Sequence, residues 1–326
     1  MILPYLVRLL CLCFACLFLV NAVCTALLRP LAMPVMRFAE RKPASTAARL
    51  LFLCRLLPFA FAILFVLGLC VPSYLWLEPS ATSERVGIPC ALLALLGCAT
   101  WLFSLARSVR ALANACARNA QWNSTVCENL RSRTSGSLLV LEENSPILAL
   151  SGLFRPHLVV SRSVLKSLSA DELDAALSHE QAHFAARDNF KRLLFLLTPE
   201  PLPLVRPLRP LEERWSKLAE WAADDHAVRG DSVRALSLAS ALVQVARLGA
   251  APDLPALSTS LLACDRDLSS RVARLLAVGT APADRGSRAP LLLRPLYGWL
   301  AAGLAFALLL PALLPPIHRL LERFLH

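Results

Sequence analysis

The sequence predicts an α-helical membrane protein that carries one hydrophilic α+β domain. Three observations predict it. Hydrophobic residues make up 56% of the 326 and charged residues only 17%, too little polar surface for a water-soluble chain and too much apolar surface for a solvated coil. The apolar residues gather in four runs, about 3–28, 56–77, 88–106 and 296–314, each close to the roughly 20 helical residues that cross a hydrocarbon core. Between the third and fourth runs, 107–290 is hydrophilic, of ordinary domain size, and mixes short apolar stretches with helical periodicity.

The first run resembles a signal peptide, but it is long, carries Arg8 inside and ends in Val23-Cys24-Thr25-Ala26-Leu27-Leu28 with no small-residue cleavage site. It is expected to remain as an anchor. Pro58 and Pro311 are tolerable in such spans, because neighbouring helices satisfy the freed backbone groups. Orientation follows from Lys and Arg, which stay on the cytoplasmic side. Arg29, Arg37, Arg41, Lys42, Arg49 and Arg55 place the first connection inside, and the poorly basic 78–87, with Glu78, Glu84 and Arg85, lies outside. Arg107, Arg110 and Arg118 then put the hydrophilic domain in the cytoplasm. The organisation is thus three transmembrane helices with a basic cytoplasmic loop over 1–106, a cytosolic domain over 107–290, and a fourth span with a short tail over 291–326. Both termini are expected outside.

The net charge of +11 flanks apolar runs and forms no stripe with interleaved aromatics, so it implies a lipid bilayer as partner and no direct nucleic-acid binding. Eight of the 11 cysteines (Cys11, Cys13, Cys16, Cys24, Cys54, Cys70, Cys90 and Cys98) lie in or beside apolar runs. Cysteine is therefore expected to act here as a small apolar residue.

Within the domain, 137–142 and 157–161 are short apolar runs bounded by Gly, Pro and Ser, and are predicted as strands. Ser169 followed by Glu172 makes a capping box, and Leu173, Ala176, Leu177 and Phe184 continue one stripe, predicting a helix from 170 to about 197. The Pro-rich 198–211 is a loop. Helices are predicted over about 212–229 and 232–248, divided by Gly230, and over about 268–277, ending near Gly279.

The first of these helices carries His179-Glu180-Gln181-Ala182-His183. Residues four apart lie one turn above each other, so both imidazoles can bind a single Zn2+ with Glu180 beside its open position. Zinc brings the pKa of bound water to about 7 and polarises a peptide carbonyl, while Glu180 takes the proton and passes it to the leaving amine. A catalytic zinc needs a third protein ligand. Glu220 on the next helix is the candidate, with Asp224 one turn later placed to hydrogen-bond a ligating histidine. On spacing alone, both remain readable as solvated charges on an Ala-rich helix. Asp225 and His226 project away from that face, His157 sits on a strand, and Asp188 is expected to fix its helix through an ion pair or hydrogen bond. His318 and His326 lie beyond the last span. Arg234 and His226 are guesses for the oxyanion-stabilising group. Strand 157–161 is a candidate to receive a substrate peptide as an added strand.

Further residues continue the pattern: Ser145-Pro146, Gly152-Leu153-Phe154-Arg155-Pro156, Leu168-Ser169-x-x-Glu172-Leu173 and Arg187-Asp188-Asn189, then Glu220-x-x-Ala223-Asp224 and Arg271-Val272-x-Arg274-Leu275-Leu276. With the His179 motif, this run resembles the membrane zinc peptidases of the BlaR/MecR antirepressor type, which are gluzincins. The resemblance implies a zincin-like (minigluzincin) cytosolic metalloprotease domain in a bacterial cytoplasmic membrane. It implies one Zn2+ per chain held by His179, His183 and Glu220, Glu180 as catalytic base, and Asp224 in support. It also implies a protein substrate in signal transduction, either a DNA-binding repressor or the chain itself. Two departures stand out. The penicillin-binding sensor domain that follows the fourth span in well-known members has no counterpart before His326, so direct β-lactam sensing is not expected. The stretch 198–203 is richer in proline than the aromatic stretch usual there. A housekeeping membrane protease and a non-proteolytic transducer or scaffold, whose metal merely holds the domain together, remain as alternatives.

Overall fold

The computed structural model describes residues 4–77, 86–124, 126–131, 137–142, 146–153, 157–202, 206–249, 257–261, 267–278, 312–319 and 321–322. Most of the predicted fourth span, and His326, lie outside them.

Three helical stretches, Tyr5–Glu40, Ala44–Leu77 and Ile88–Trp122, are long and apolar enough to cross a membrane. They comprise α1 (Tyr5–Glu40), α2 (Ala44–Phe65) continued by a π-helical turn (Val66–Cys70) and α3 (Val71–Leu77), and α4 (Ile88–Ser124). The helices outrun the apolar runs that predict them. The basic connection expected as a loop is itself helical, apart from a short turn at 41–43. Its physical reason is burial: Ala32, Ala39, Ala47, Ala48 and Leu51 pack against Phe195, Leu208, Leu211, Trp215 and Leu218 of the domain, so the α1–α2 hairpin continues inward as part of the domain's wall. The expected boundary at 107 is likewise no break, because α4 runs on until Trp122 packs beneath the sheet. Where α1 crosses α4, a Cβ on Gly97 would clash with the carbonyl oxygen of Phe14; only glycine admits so close an approach.

The domain's sheet has the order β1-β2-β4-β3-β5, from β1 (Val126–Arg131), β2 (Ser137–Leu141), β3 (Leu148–Ser151), β4 (His157–Ser161) and β5 (Ser258–Ser260). The β2–β4 pair is parallel and the others antiparallel. Alternation assigns the faces. Val140, Leu148, Leu150, Leu158 and Val160 enter the main core, whereas Leu139, Leu141, Ala149 and Val159 turn to Trp122 of α4. The predicted β2 and β4 are present. However, β4 is hydrogen-bonded on both sides, to β2 and β3, so it has no free edge and the expectation that it receives a substrate strand is corrected.

Against the main-core face lie α5 (Arg162–Ser167), α6 (Ala170–Ala186), α9 (Ser232–Arg247) and α10 (Leu268–Val278), while α7 (Asp188–Leu197) and α8 (Arg209–Val228) face the spans. The single helix predicted over 170–197 is divided. Arg187 adopts a left-handed conformation, φ 54°, ending α6 and starting α7 in a new direction. A final helical segment over 312–319 carries Ile317, which joins Leu321 in the cluster of Leu12, Cys16, Cys70 and Cys90. That contact brings the tail to the same end of the bundle as the start of α1.

Candidate metal centre

The site is built from four helices of the domain, α6, α7, α8 and α10. The predicted capping box fixes the start of α6: the Ser169 N–H donates to Glu172 at 2.8 Å, and Ser169 Oγ accepts from the Glu172 N–H at 3.4 Å. Two turns later His179, Glu180 and His183 are all buried. The break at Arg187 then brings Asp188 Oδ2 to 2.8 Å from His183 Nδ1, with Lys191 Nζ 2.8 Å from the other carboxylate oxygen. Asn189 Nδ2 donates to the Gly152 carbonyl at 3.1 Å, pinning α7 to the end of β3.

Helix α8 turns one face to α2 and the other to α6. On the second face Glu220 Oε2 lies 3.5 Å from His179 Nε2, and Glu220 Oε1 3.6 Å from His183 Nε2. The two Nε2 atoms are 3.2 Å apart. Asp224 Oδ1 stands 3.0 Å from His179 Nδ1, on the far side of that ring, as Asp188 does for His183. From α10, Arg271 donates to Asp224 Oδ2 at 2.9 Å and Oδ1 at 2.6 Å, and to the Leu261 carbonyl at 2.8 Å. Its Nη1 is also 3.2 Å from Glu220 Oε2.

These distances fit a divalent ion. Ligand atoms around a tetrahedral zinc, with bonds of about 2.0–2.2 Å, stand roughly 3.3–3.5 Å apart, close to the spacings observed. His179, His183 and Glu220 form the group among the described residues whose three ligand atoms all lie within 4.8 Å of one another. Neither Glu220 oxygen has a hydrogen-bond partner although the residue is buried, a cost that a bound cation removes. Charge agrees. Buried Glu180, Asp188, Glu220 and Asp224 stand with Arg271 and Lys191, and once the imidazoles are neutral ligands the excess is what one divalent cation supplies.

The same carboxylates control protonation. Burial alone would lower His183, but the Glu220 charge and the Asp188 hydrogen bond push it up to about 10; His179 is raised against burial by Asp224 and Glu220. Burial would raise Glu220, yet His183, His179 and Arg271 hold it well below the usual carboxylate range. Glu180 moves the other way: burial pushes its carboxyl up despite His179 and His183. That direction suits a proton acceptor working near neutrality.

Of the residues singled out in the sequence, His179, Glu180, His183, Glu220 and Asp224 are brought together, and Asp188 makes the hydrogen bond expected of it. Asp225, paired with Arg274, and His226 are exposed. The Arg234 guanidinium is engaged by Asp174, Ser178 and the Ala227 carbonyl, so it offers no ready oxyanion donor. Arg271, to which the sequence motif assigns no role, is buried against Asp224; an arginine at the start of a short helix otherwise reads as solvated. A cavity of about 530 Å3, lined in part by Leu150, Leu153, Phe184 and Phe190, has His183 and Asp188 in its wall.

Asp224→Asn is expected to weaken zinc binding about 10–100-fold, because an amide holds the His179 ring and its basicity less well than a carboxylate. Competition against a chromophoric chelator measures it, with exposed Asp225→Asn as the unaffected control.

The model of one protein family, peptidase family M48, matches residues 138–202. The match runs from β2 through α6 and α7, includes His179, Glu180 and His183, and ends before Glu220. No curated protein matches the chain. The metallopeptidase expectation holds at that level: on a scaffold of three span-capable helices, the segment that supplies the histidine half of the site is similar to peptidase family M48.

Proposed function

We propose that this chain is an integral membrane zinc endopeptidase of the BlaR/MecR-like antirepressor type, its catalytic domain on the cytoplasmic side of a bacterial cytoplasmic membrane. It cleaves a protein substrate near the membrane surface on a signal, either a DNA-binding repressor or its own chain. The observation that carries this reading is the convergence of His179, His183 and Glu220, with Glu180 buried beside them.

His179, His183 and Glu220 hold the zinc, which when bound supplies a Lewis acid for the scissile carbonyl and acidifies water. Asp224 and Asp188 orient the two imidazoles so that both Nε2 atoms face the ion. Glu180 accepts the proton of the attacking water and delivers it to the leaving nitrogen. Its burial excludes bulk water from that transfer. Three converging ligand atoms among the described residues, rather than four, favour an open catalytic position over a closed structural one.

Elemental analysis of the detergent-purified protein tests the centre. About one zinc per chain is expected in the wild type and a large loss in His183→Ala. Folded wild-type protein without zinc would overturn the proposal. Comparing cleaved proteins in cells carrying active or Glu180→Gln enzyme then separates a dedicated repressor substrate from general turnover of membrane proteins.

A further inference from the structure

A cavity of about 350 Å3 lies where α2, α6, α7 and α8 meet. Its floor is alanine: Ala182 of α6 and Ala219 and Ala223 of α8 are buried there, and their short side chains leave the space open. Its wall is polar. Ser45 and Arg49 come from the first two turns of α2, Lys191 from α7 and His226 from the last turn of α8. Lys191 is half-buried, and its Nζ lies 5.9 Å from the centroid of the Phe52 ring, which draws the ammonium from α7 toward α2.

The charge of this wall is one-sided. Its carboxylate, Asp188, is already engaged: one oxygen meets His183 Nδ1 and the other Lys191 Nζ, each at 2.8 Å. Arg49 and His226 are exposed, and neither has an ion pair or a hydrogen bond among the described residues. Arg49 and Lys191 thus outweigh Asp188 before His226 is counted. A guanidinium fork, an ammonium, an imidazole N–H and a hydroxyl, brought by three helices to one small space, suit a group with acceptor oxygens on several sides. A phosphate has that shape, whereas a carboxylate presents its two oxygens in one plane. The volume falls at the small end of ligand sites, about 300–1,000 Å3, which suits a compact ester.

We propose that this cavity binds the phosphate group of a small, soluble phosphate monoester, held by Arg49, Lys191, His226 and Ser45. Arg49 stands about seven residues, or roughly 10 Å of helix, before the apolar run of its span begins at 56, so a lipid headgroup would have to leave the membrane surface to reach it.

Lys191 connects this site to the metal centre. Its ammonium carries three donors and already serves Asp188. An anion that draws on the same ammonium leaves Asp188 a stronger acceptor for the His183 ring and adds negative charge near the ion. Anion and zinc therefore each tighten the binding of the other. This coupling rests on the metal reading of the centre; the anion site does not.

The test uses the full-length, zinc-loaded Glu180→Gln protein in detergent, titrated calorimetrically with glycerol 3-phosphate. Saturable binding of one ester per chain is expected. Arg49→Gln and Lys191→Gln should each weaken it about tenfold or more, the loss of a charge-assisted hydrogen bond, and Arg41→Gln, exposed and outside the cavity, should leave it unchanged. No binding, or binding that survives Arg49→Gln as it would if the ester sat on the zinc, overturns the site, as does an equal loss in Arg41→Gln. Should Arg49→Gln fail to fold, His226→Gln, also exposed, gives the same reading. Succinate binding as tightly as the ester overturns the assignment to phosphate. In nanodiscs of phosphatidylcholine, displacement of the ester by added phosphatidic acid overturns the soluble source in favour of a headgroup. Chelator competition reads the coupling: the ester should tighten zinc about fivefold or more, and not in Arg49→Gln. Ester binding with zinc affinity unchanged overturns the coupling alone. Ester binding by a folded wild-type chain that holds no zinc overturns the metal reading and leaves the anion site standing.

Discussion

Replacing Glu180 with Gln is expected to leave zinc bound and to lower peptide-bond cleavage by on the order of 10²–10⁴, the contribution of a positioned general base. Gln has the shape and hydrogen-bonding reach of Glu but accepts no proton at neutral pH. Glu180 is not in the group of three converging ligand atoms, so its change should spare metal content. Its carboxyl is fully buried and pushed above the usual range by that burial, so a neutral amide is no harder to accommodate. Loss of turnover with zinc content and thermal unfolding unchanged is the expected pattern. Unchanged proteolysis would remove Glu180 from catalysis, and loss of zinc would recast it as part of the ligand set.

The parts legible in the sequence are those fixed by local chemistry. The capping box at Ser169 and Glu172 sets where α6 begins, and the four-residue spacing of His179 and His183 places both rings on one turn, so neither needed tertiary information. Glu220 needed the resemblance as well as spacing, because a carboxylate on an Ala-rich helix is equally at home in water. What stayed hidden was set by packing across the chain. The left-handed Arg187 that divides α6 from α7 leaves the stripe of apolar residues unbroken, so periodicity alone predicts one helix. The strand β3, Leu148–Ser151, is too short for alternation to announce. The inward extension of α1 and α2 was masked by its own basic residues, which read as a solvated connection, although Ala39, Ala47 and Leu51 bury against Leu211 and Trp215.

Arg271→Met should produce the largest loss of stability in the metal-free domain. The guanidinium is buried and bonded twice to Asp224, once to the Leu261 carbonyl, and lies beside Glu220. Methionine fills much of the volume but strips Asp224 of its bonded counter-charge and leaves Glu220 to His179 and His183 alone, and removing one partner of a buried pair costs on the order of 3–5 kcal/mol. Zinc then replaces the lost positive charge beside Glu220. Ligand binding stabilises by about 4 kcal/mol at a thousandfold excess over Kd, so added zinc should raise the unfolding temperature of Arg271→Met more than that of the wild type. Arg271→Lys should fall between them, since it keeps the charge and loses the planar fork that spans both Asp224 oxygens. Thermal unfolding in detergent, with chelator and with zinc, reads all three. If the metal-free Arg271→Met domain unfolds no earlier than the wild type, Arg271 is not the charge that holds the empty site together. The burden of Asp224 and Glu220 would then fall on the protonated His179 and His183 alone, the groups whose protons zinc must displace.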